Sequence, residues 1–385
     1  MAPASIGRMK ACYIEEGRVP LPPDCHESQA APGRPPHFRP PMYYVQRDAY
    51  IETEVEIPKA GQDYVSVQVK ACGLSKPPYP AVREVFSVGD IPLLHRLPIG
   101  YEISGYVHAV GSQVTTLRPG DAVVGLLPSD YNQSGCSEYV VMNEFDLVKK
   151  PPSVSFVEAA GTIGDAVKAY TALHYLGRMC SGDTILILDG ASPSGSLALQ
   201  LASLGGVRAI TTASSQEELS HLQGMQPQPW KIIDISEKSS ALRQTCLEET
   251  SGLGVDLIVD FGPSHAINPK APDSIDRKIP SRNDIISCLA VGGRWVTSQI
   301  DLTLDATCSR LLYLKCASIG FLNEQSWVLC PTQASRYQHI LMDIMDKLAD
   351  RNLRPNIHHT VSLDAVPEAL KGLNSLKVGK VVVNI

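Results

Sequence analysis

The sequence predicts an α/β protein in which a doubly wound parallel sheet sits beside a smaller, β-rich lobe. Three observations carry this. From Thr184 onward, β-branched and aliphatic runs alternate with helical stretches. The first of those runs ends in a Gly-rich turn, Asp189-Gly-Ala-Ser-Pro-Ser-Gly195. Up to about Lys150, short strands are instead punctuated by Pro-Gly turns. Strand–helix alternation implies right-handed crossovers and a parallel sheet with helices on both faces, whereas short strands joined by turns imply an antiparallel lobe.

Met9–Ile14 reads as the first strand, and Gly17–Pro41 as a Pro-rich insertion that cannot be helix or central strand. Its composition suits an exposed loop better than a proline-rich partner ligand. Glu52–Ala71 alternates: Val65, Val67 and Val69 face one way, Ser66, Gln68 and Lys70 the other, as in a half-buried strand. Ile103–Val110 and Arg118–Gly125 supply further strands. Phe156–Leu176 reads as helical. Strands are then expected at Thr184–Asp189, Val207–Thr212, Lys231–Ile235, Val255–Phe261, Gly292–Thr297 and Ala317–Phe321. Gln338–Ala349 is an amphipathic helix, and Lys380–Ile385 a last strand returning to the first lobe. The resulting division is residues 1–155, 156–325 and 326–385, with the insertion at 17–41.

Composition excludes several classes. A net charge of −6 gives no footprint for direct nucleic-acid binding. No apolar run approaches the ~18–20 residues of a membrane span, and Met1–Arg8 lacks the apolar core of a secretory signal. Ten cysteines without a C-x-x-C suit reduced thiols better than disulfides or zinc. The expectation is an intracellular, soluble, cytoplasmic protein.

The stretch Thr184–Ala202 is the strand–turn–helix opening of a dinucleotide-binding βαβ unit, in which amides at a helix N-terminus hold a pyrophosphate. Against G-x-G-x-x-G it reads Gly190, Ser192, Gly195, with Ala191 between the first two. Ser192 takes the position where a missing side chain lets the phosphates approach. Asp189 adds negative charge, and no Lys or Arg lies between Asp183 and Gly206. About 20 residues on, where an NAD site places an acidic group, stands the neutral Thr212-Ala-Ser-Ser215. Ser214 or Ser215 is placed to meet a 2′-phosphate, so NADPH is favoured over NADH. Glu217 and Glu218 would repel that phosphate, and Arg208 could serve only if turned inward.

Further motifs carry a resemblance. Val69-Lys-Ala-Cys-Gly-Leu-Ser75, Pro98-Ile-Gly-Tyr-Glu102, Gly105–Gly111, Pro119-Gly-Asp121, Glu158-Ala-Ala-Gly161, Ala169-Tyr-Thr-Ala172 and Gly379-Lys-Val-Val-Val383 occur in this order. Together they resemble the medium-chain dehydrogenase/reductase superfamily, and within it the zinc-free quinone oxidoreductase (zeta-crystallin) branch. The resemblance implies a GroES-like lobe built from both chain ends and a Rossmann lobe between them, with dimerisation through a Rossmann edge strand, here Ala317–Phe321. Ala169–Leu176 and Cys246–Asp256 are similar to a vertebrate quinone oxidoreductase-like subfamily. That likeness implies a subunit of an early-endosomal Rab-effector complex linking endosomes to mRNA transport, at the cytoplasmic face of the early endosome.

Where the zinc alcohol dehydrogenases of the superfamily bind metal through Cys and His, this chain has Ser75 and Tyr101. A hydroxyl and a phenol are poor zinc ligands, and no Cys lies between Cys72 and Cys136 to build a structural zinc lobe. No metal is expected. Tyr101 could donate a proton, although an aromatic beside a Gly turn is commonly packing; Ser75 is a cleft hydroxyl or a turn hydroxyl. Cys72 reads as a small buried hydrophobe. His358-His359 looks like a metal pair, but adjacent strand residues face opposite ways, which argues against a shared ion. Leu219 replaces a Lys that zinc-free relatives commonly carry. Two readings follow: a zinc-free NADPH-dependent reductase of quinones or related carbonyls, and a non-catalytic or weakly catalytic subunit of a protein complex.

Overall fold

A computed structural model describes residues 7–19, 43–75, 96–236, 241–261, 280–300, 302–373 and 375–385. The first strand, β1 (Arg8–Val19), runs three residues into the expected insertion; the rest of the Pro-rich stretch lies outside the described residues. β1 pairs antiparallel with β2 (Tyr43–Glu56) and β4 (Arg96–Pro98). The alternating stretch expected from Glu52 is two strands, because Pro58 to Gly61 interrupts it: β2 ends at Glu56 and β3 spans Tyr64–Leu74.

β3 is central to the second sheet, which contains β5 (Glu102–Val110), β6 (Ala122–Leu126), β7 (Tyr139–Asn143), β8 (Leu147–Lys149), β15 (Ile357–Ser362) and β16 (Lys380–Asn384). β16 lies against β3, so the chain's last strand closes the lobe that its first residues opened. Val65, Val67 and Val69 are fully buried against Ile103, Val140 and Val383. Gln68 and Lys70 are half-buried, but Ser66 is buried, so the second face is not open to water. Helix α1 (Phe156–Tyr170) packs across part of it through Ala71, Ala160 and Val382. Ser155 and Glu158 form a capping box that fixes where α1 starts, and a π-helical turn, Thr171–Leu176, continues it.

The remaining sheet is wholly parallel. Its order is β11 (Lys231–Asp234), β10 (Arg208–Ala213), β9 (Thr184–Leu188), β12 (Val255–Asp260), β13 (Leu289–Thr297) and β14 (Ser318–Phe321). In β9, Ile185 and Ile187 enter one core while Leu186 and Leu188 enter another on the opposite face. That is why the strand reads as a continuous apolar run. Helices α2 (Pro193–Leu204), α3 (Gln216–Gly224), α4 (Ala241–Glu249), α5 (Arg282–Cys288), α6 (Ala306–Leu314) and α7 (Ala334–Ala349) connect or follow these strands. The order reverses between β9 and β12, and ligands of such sheets bind beyond the strand ends at that point. Among the described residues, no helix is long and apolar enough to cross a membrane.

Candidate functional site: a dinucleotide cradle filled by its own side chains

The turn after β9 lies at the reversal point. Asp189 is left-handed at φ 57°, a conformation that Asp tolerates better than most residues. Gly190 and Gly195 are needed for close packing: a Cβ at Gly190 would strike Thr211 Oγ1, and one at Gly195 would strike the Asp189 carbonyl. The cradle's shape is therefore present. Several of its donors are spent. Ser192 is the N-cap of α2; its Oγ accepts from Gly195 N–H at 3.1 Å and donates to Asp189 O at 2.7 Å. Ser192 N–H donates to Asp189 O at 3.1 Å, Pro193 has no N–H, and Ser196 N–H goes to Ser192 O at 2.8 Å. A helix N-terminus attracts anions through amides left without intrahelical partners, and here an internal cap takes one and proline removes another. Ala191 is fully buried in the Rossmann core.

Beside this turn runs a buried chain of charge that sequence reasoning missed. Ser194 Oγ donates to Asp165 Oδ1 at 2.5 Å, and Lys380 Nζ donates to Asp165 Oδ2 at 2.6 Å and also to Glu102. The network joins β5 and β16 of the first lobe, α1, and the first turn of α2. Glu102 lies between Gly73 and Gly164, where any Cβ would strike its carboxyl group. Burial pushes the Glu102 carboxyl up, opposed by the Lys380 charge and assisted by Asp165. Lys380 is held above the usual lysine range: both carboxylates outweigh its desolvation. The cation linked through Asp165 to the first turn of α2 is thus already paired with two internal anions. A lysine behind the last Gly turn and an Asp within the apolar face of α1 were the available signals.

The far end of the cleft is filled likewise. Asp189 N–H donates to Thr212 Oγ1 at 3.0 Å, tying the turn to the end of β10. There Ser214 gives its N–H to Glu218 Oε2 at 2.6 Å and its hydroxyl to both carboxylate oxygens at 3.0 and 2.9 Å. Ser215 caps α3 by accepting from Glu218 N–H at 3.3 Å. Glu218 is 1% exposed. Leu219 is half-buried against the Rossmann core. Arg208 faces outward at the opposite end of β10, bonded to Thr184 Oγ1 at 2.8 Å with its guanidinium 5.8 Å from the Trp230 ring centre.

Tyr101 is 7% exposed, within the core of the first lobe, with its hydroxyl 3.4 Å from Pro98 O. Ser75 follows β3 and is half-buried. Cys72 is fully buried, its Sγ 3.8 Å from Cys136 Sγ. His358 and His359 do not face opposite ways. A register slip against β16 between Ile357 and His359 breaks the alternation, and the two Nδ1 atoms lie 2.6 Å apart. Among the described residues, no three His, Cys, Asp or Glu side chains gather as a metal site.

A nicotinamide dinucleotide is the cofactor this fold implies. The residues fit it in backbone shape and misfit it in chemistry, since the Gly195 amide, the Lys380 cation and the Ser214 hydroxyl already have internal partners. No hydride-transfer step is derived from this arrangement.

Comparison with known proteins is consistent with the architecture. The alcohol dehydrogenase GroES-like domain family matches residues 61–152. Quinone oxidoreductase-like protein 1 of Mus musculus is 40% identical over 307 residues, 80% of this chain and 86% of the mouse protein. A solved Pseudomonas syringae quinone oxidoreductase superposes with a TM-score of 0.67 at 23% identity, covering 89% of this chain and 95% of that one. A mycobacterial protein solved in complex with NADPH gives a TM-score of 0.70 at 18% identity, covering 97% and 100%. These two structures bear on the fold alone. The mouse relative shows more: this chain belongs to the quinone oxidoreductase-like family of the medium-chain dehydrogenase/reductase superfamily.

Proposed function

We propose that this chain is a non-catalytic or weakly catalytic subunit of a protein complex. The observation that carries the reading is the self-satisfied cradle: Ser192 on Gly195 N–H, Lys380 between Glu102 and Asp165, and Glu218 on Ser214. The likeness to quinone oxidoreductase-like protein 1 supports the cellular half of the proposal. That half is membership of an early-endosomal Rab-effector complex linking endosomes to mRNA transport, at the cytoplasmic face of the endosome. The net charge of −6 puts RNA contact on other subunits. The chain pairs with itself through β14, the Rossmann edge, where Phe321 is exposed; Tyr313 and Leu314, at the end of α6 that leads into the strand, are exposed as well.

The second reading is a zinc-independent, NADPH-dependent reductase of quinones or related carbonyls. The close packing kept at Gly190 and Gly195 favours it. Calorimetric titration with NADPH and NADH of the parent, Ser192→Gly and Asp189→His separates the two. The subunit reading expects no binding by the parent and gained binding once the turn is opened. Tight parent binding of either dinucleotide with turnover of a quinone would overturn it. For the cellular half, a tagged chain that stays in the cytosolic fraction while early endosomes pellet would remove the endosomal assignment.

A further inference from the structure

All strands of the parallel sheet begin at the end opposite the crevice, and there large apolar side chains are left in water. Trp230, just before β11, is 60% exposed, and Leu204, the last residue of α2, is 49% exposed. Beside Trp230 lies a cleft of about 140 Å³, walled by Leu199 and Ser203 of α2, Val207 and Arg208 where β10 begins, and Pro227. Small-molecule pockets run to roughly 300–1,000 Å³, so this cleft has room for one side chain and not for a cofactor. The indole is exposed but fixed. Its backbone N–H donates to Ala209 O at 2.9 Å and its ring N–H to the Glu249 carboxylate, while Pro227 and Pro229 restrict the chain before it. A ring already held in place loses little freedom when a partner covers it. Charge then decides what kind of partner fits. The Arg208 guanidinium lies 5.8 Å from the Trp230 ring centre and gives one N–H to Thr184 Oγ1, and among the described residues no carboxylate pairs with it. Two carboxylates at this end are taken by other cations, Asp183 by Arg294 at 3.4 Å and Glu249 by Lys231 at 2.7 Å. A guanidinium beside an aromatic ring is weakly hydrated and keeps further donors in a fork that matches a carboxylate.

We propose that the cleft beside Trp230 docks an acidic peptide segment of a partner protein. One apolar side chain of the segment enters the cleft against Trp230 and Pro227, and a neighbouring carboxylate pairs with Arg208. The proposal rests on the subunit reading and adds to it the place and the chemistry of one contact. Trp and Arg are the residue types that most often anchor interfaces, and here they stand together. A segment with Lys in place of the carboxylate would meet Arg208 as a like charge. The cleft is at the β11 edge of the sheet, so it is separate from pairing through β14 at the other edge.

The test is selection of a random dodecapeptide library on the full chain, followed by fluorescence anisotropy with the enriched peptides as labelled synthetic probes. Enriched peptides are expected to share an apolar residue beside Asp or Glu. Trp230→Ala and Arg208→Glu should each weaken the tightest peptide about tenfold or more. Thermal midpoints should stay close to the parent's, because both side chains are exposed. The same peptide with its acidic residues replaced by Lys should fail on the parent and bind Arg208→Glu, an exchange that no folding defect can produce. Leu314→Glu, at the other edge, should leave the affinity unchanged. A library that yields no binder, enriched peptides without acidic residues, or an affinity that Trp230→Ala leaves unchanged overturns the proposal. Each of those failures leaves standing the dinucleotide titration by which the subunit reading is judged. Quinone turnover by the parent would remove the subunit reading without moving the peptide result, so the two fail separately.

Discussion

The crevice and the outer edge of the six-stranded sheet contrast in what they leave available. At the crevice, beyond the ends of the paired strands β9 and β12 where the strand order reverses, the backbone shape of a ligand site is kept while several of its polar groups are bonded to one another. At the edge, β14 pairs among the described residues with β13 alone, and Tyr313 is 84% exposed, Leu314 72% and Phe321 60%, in the strand and the helix end that leads into it. Exposed large apolar side chains grouped beside a sheet edge mark an interaction surface, because that edge has backbone groups to pair and apolar area to bury. The proposed function rests on this contrast between paired polar groups at the crevice and exposed apolar side chains towards the edge.

The largest effect that would sharpen the contrast is at Lys380. It is buried between Glu102 and Asp165, so Lys380→Met strands two carboxylates in a low-dielectric site. Removing one partner of a buried ion pair costs about 3–5 kcal/mol, read as a lower denaturation midpoint at unchanged slope. Glu102→Gln, which leaves the Lys380–Asp165 pair in place, should cost much less. A loss below about 1 kcal/mol for Lys380→Met, the size of an exposed pair, would mean that water screens the crevice and its charges do not close it.

At the edge, Leu314→Glu is expected to weaken self-association without lowering the stability of the single chain, because Leu314 has little packing to lose. Truncating a central apolar anchor of an interface costs about 2 kcal/mol or more, enough to shift the dimer–monomer midpoint by more than tenfold in concentration. Sedimentation velocity across a dilution series reads this directly. A parent that is monomeric throughout, or a variant that dimerises equally well, would break the edge half of the comparison.

Most of the fold was legible because it rests on short-range physics. β-Branched runs such as Thr184–Leu188, Pro-Gly turns and the Ser155–Glu158 cap act within a few residues. The single strand read across Glu52–Ala71 failed locally too, since the Pro58–Gly61 break was in view. The site was legible only in outline. Gly190 and Gly195 marked the turn, but whether its donors are free depends on groups distant in sequence. Asp165 meets Ser194 across 29 positions and Lys380 across 215, and no periodicity links them. Glu218 was closer to hand: Ser215-Gln-Glu-Glu218 is the spacing of a capping box. Weighed only as a repelling charge, it gave no hint that it binds Ser214. The His358-His359 pair shows the converse, where alternation misleads because a bulge suspends it.

The smallest effect discriminates most finely between shape and chemistry in the crevice. Ser192→Gly removes the hydroxyl that holds Gly195 N–H and Asp189 O, and restores the glycine expected of the fingerprint. Glycine is itself tolerated at an N-cap, so the stability loss should be a few tenths of a kcal/mol, whereas Ser192→Ala should lose about 1 kcal/mol. The glycine variant should nevertheless free an amide at the head of α2, giving pyrophosphate a donor the parent lacks. The parent, Ser192→Gly and Ser192→Ala can be compared by midpoint shift with and without inorganic pyrophosphate. If the anion stabilises Ser192→Gly more than the parent, the serine cap keeps the crevice closed at that point. If the anion leaves both unchanged while Asp165→Asn, which removes one of the two anions holding Lys380, gains a response, closure belongs to the buried charges, and Ser192 is only a helix cap.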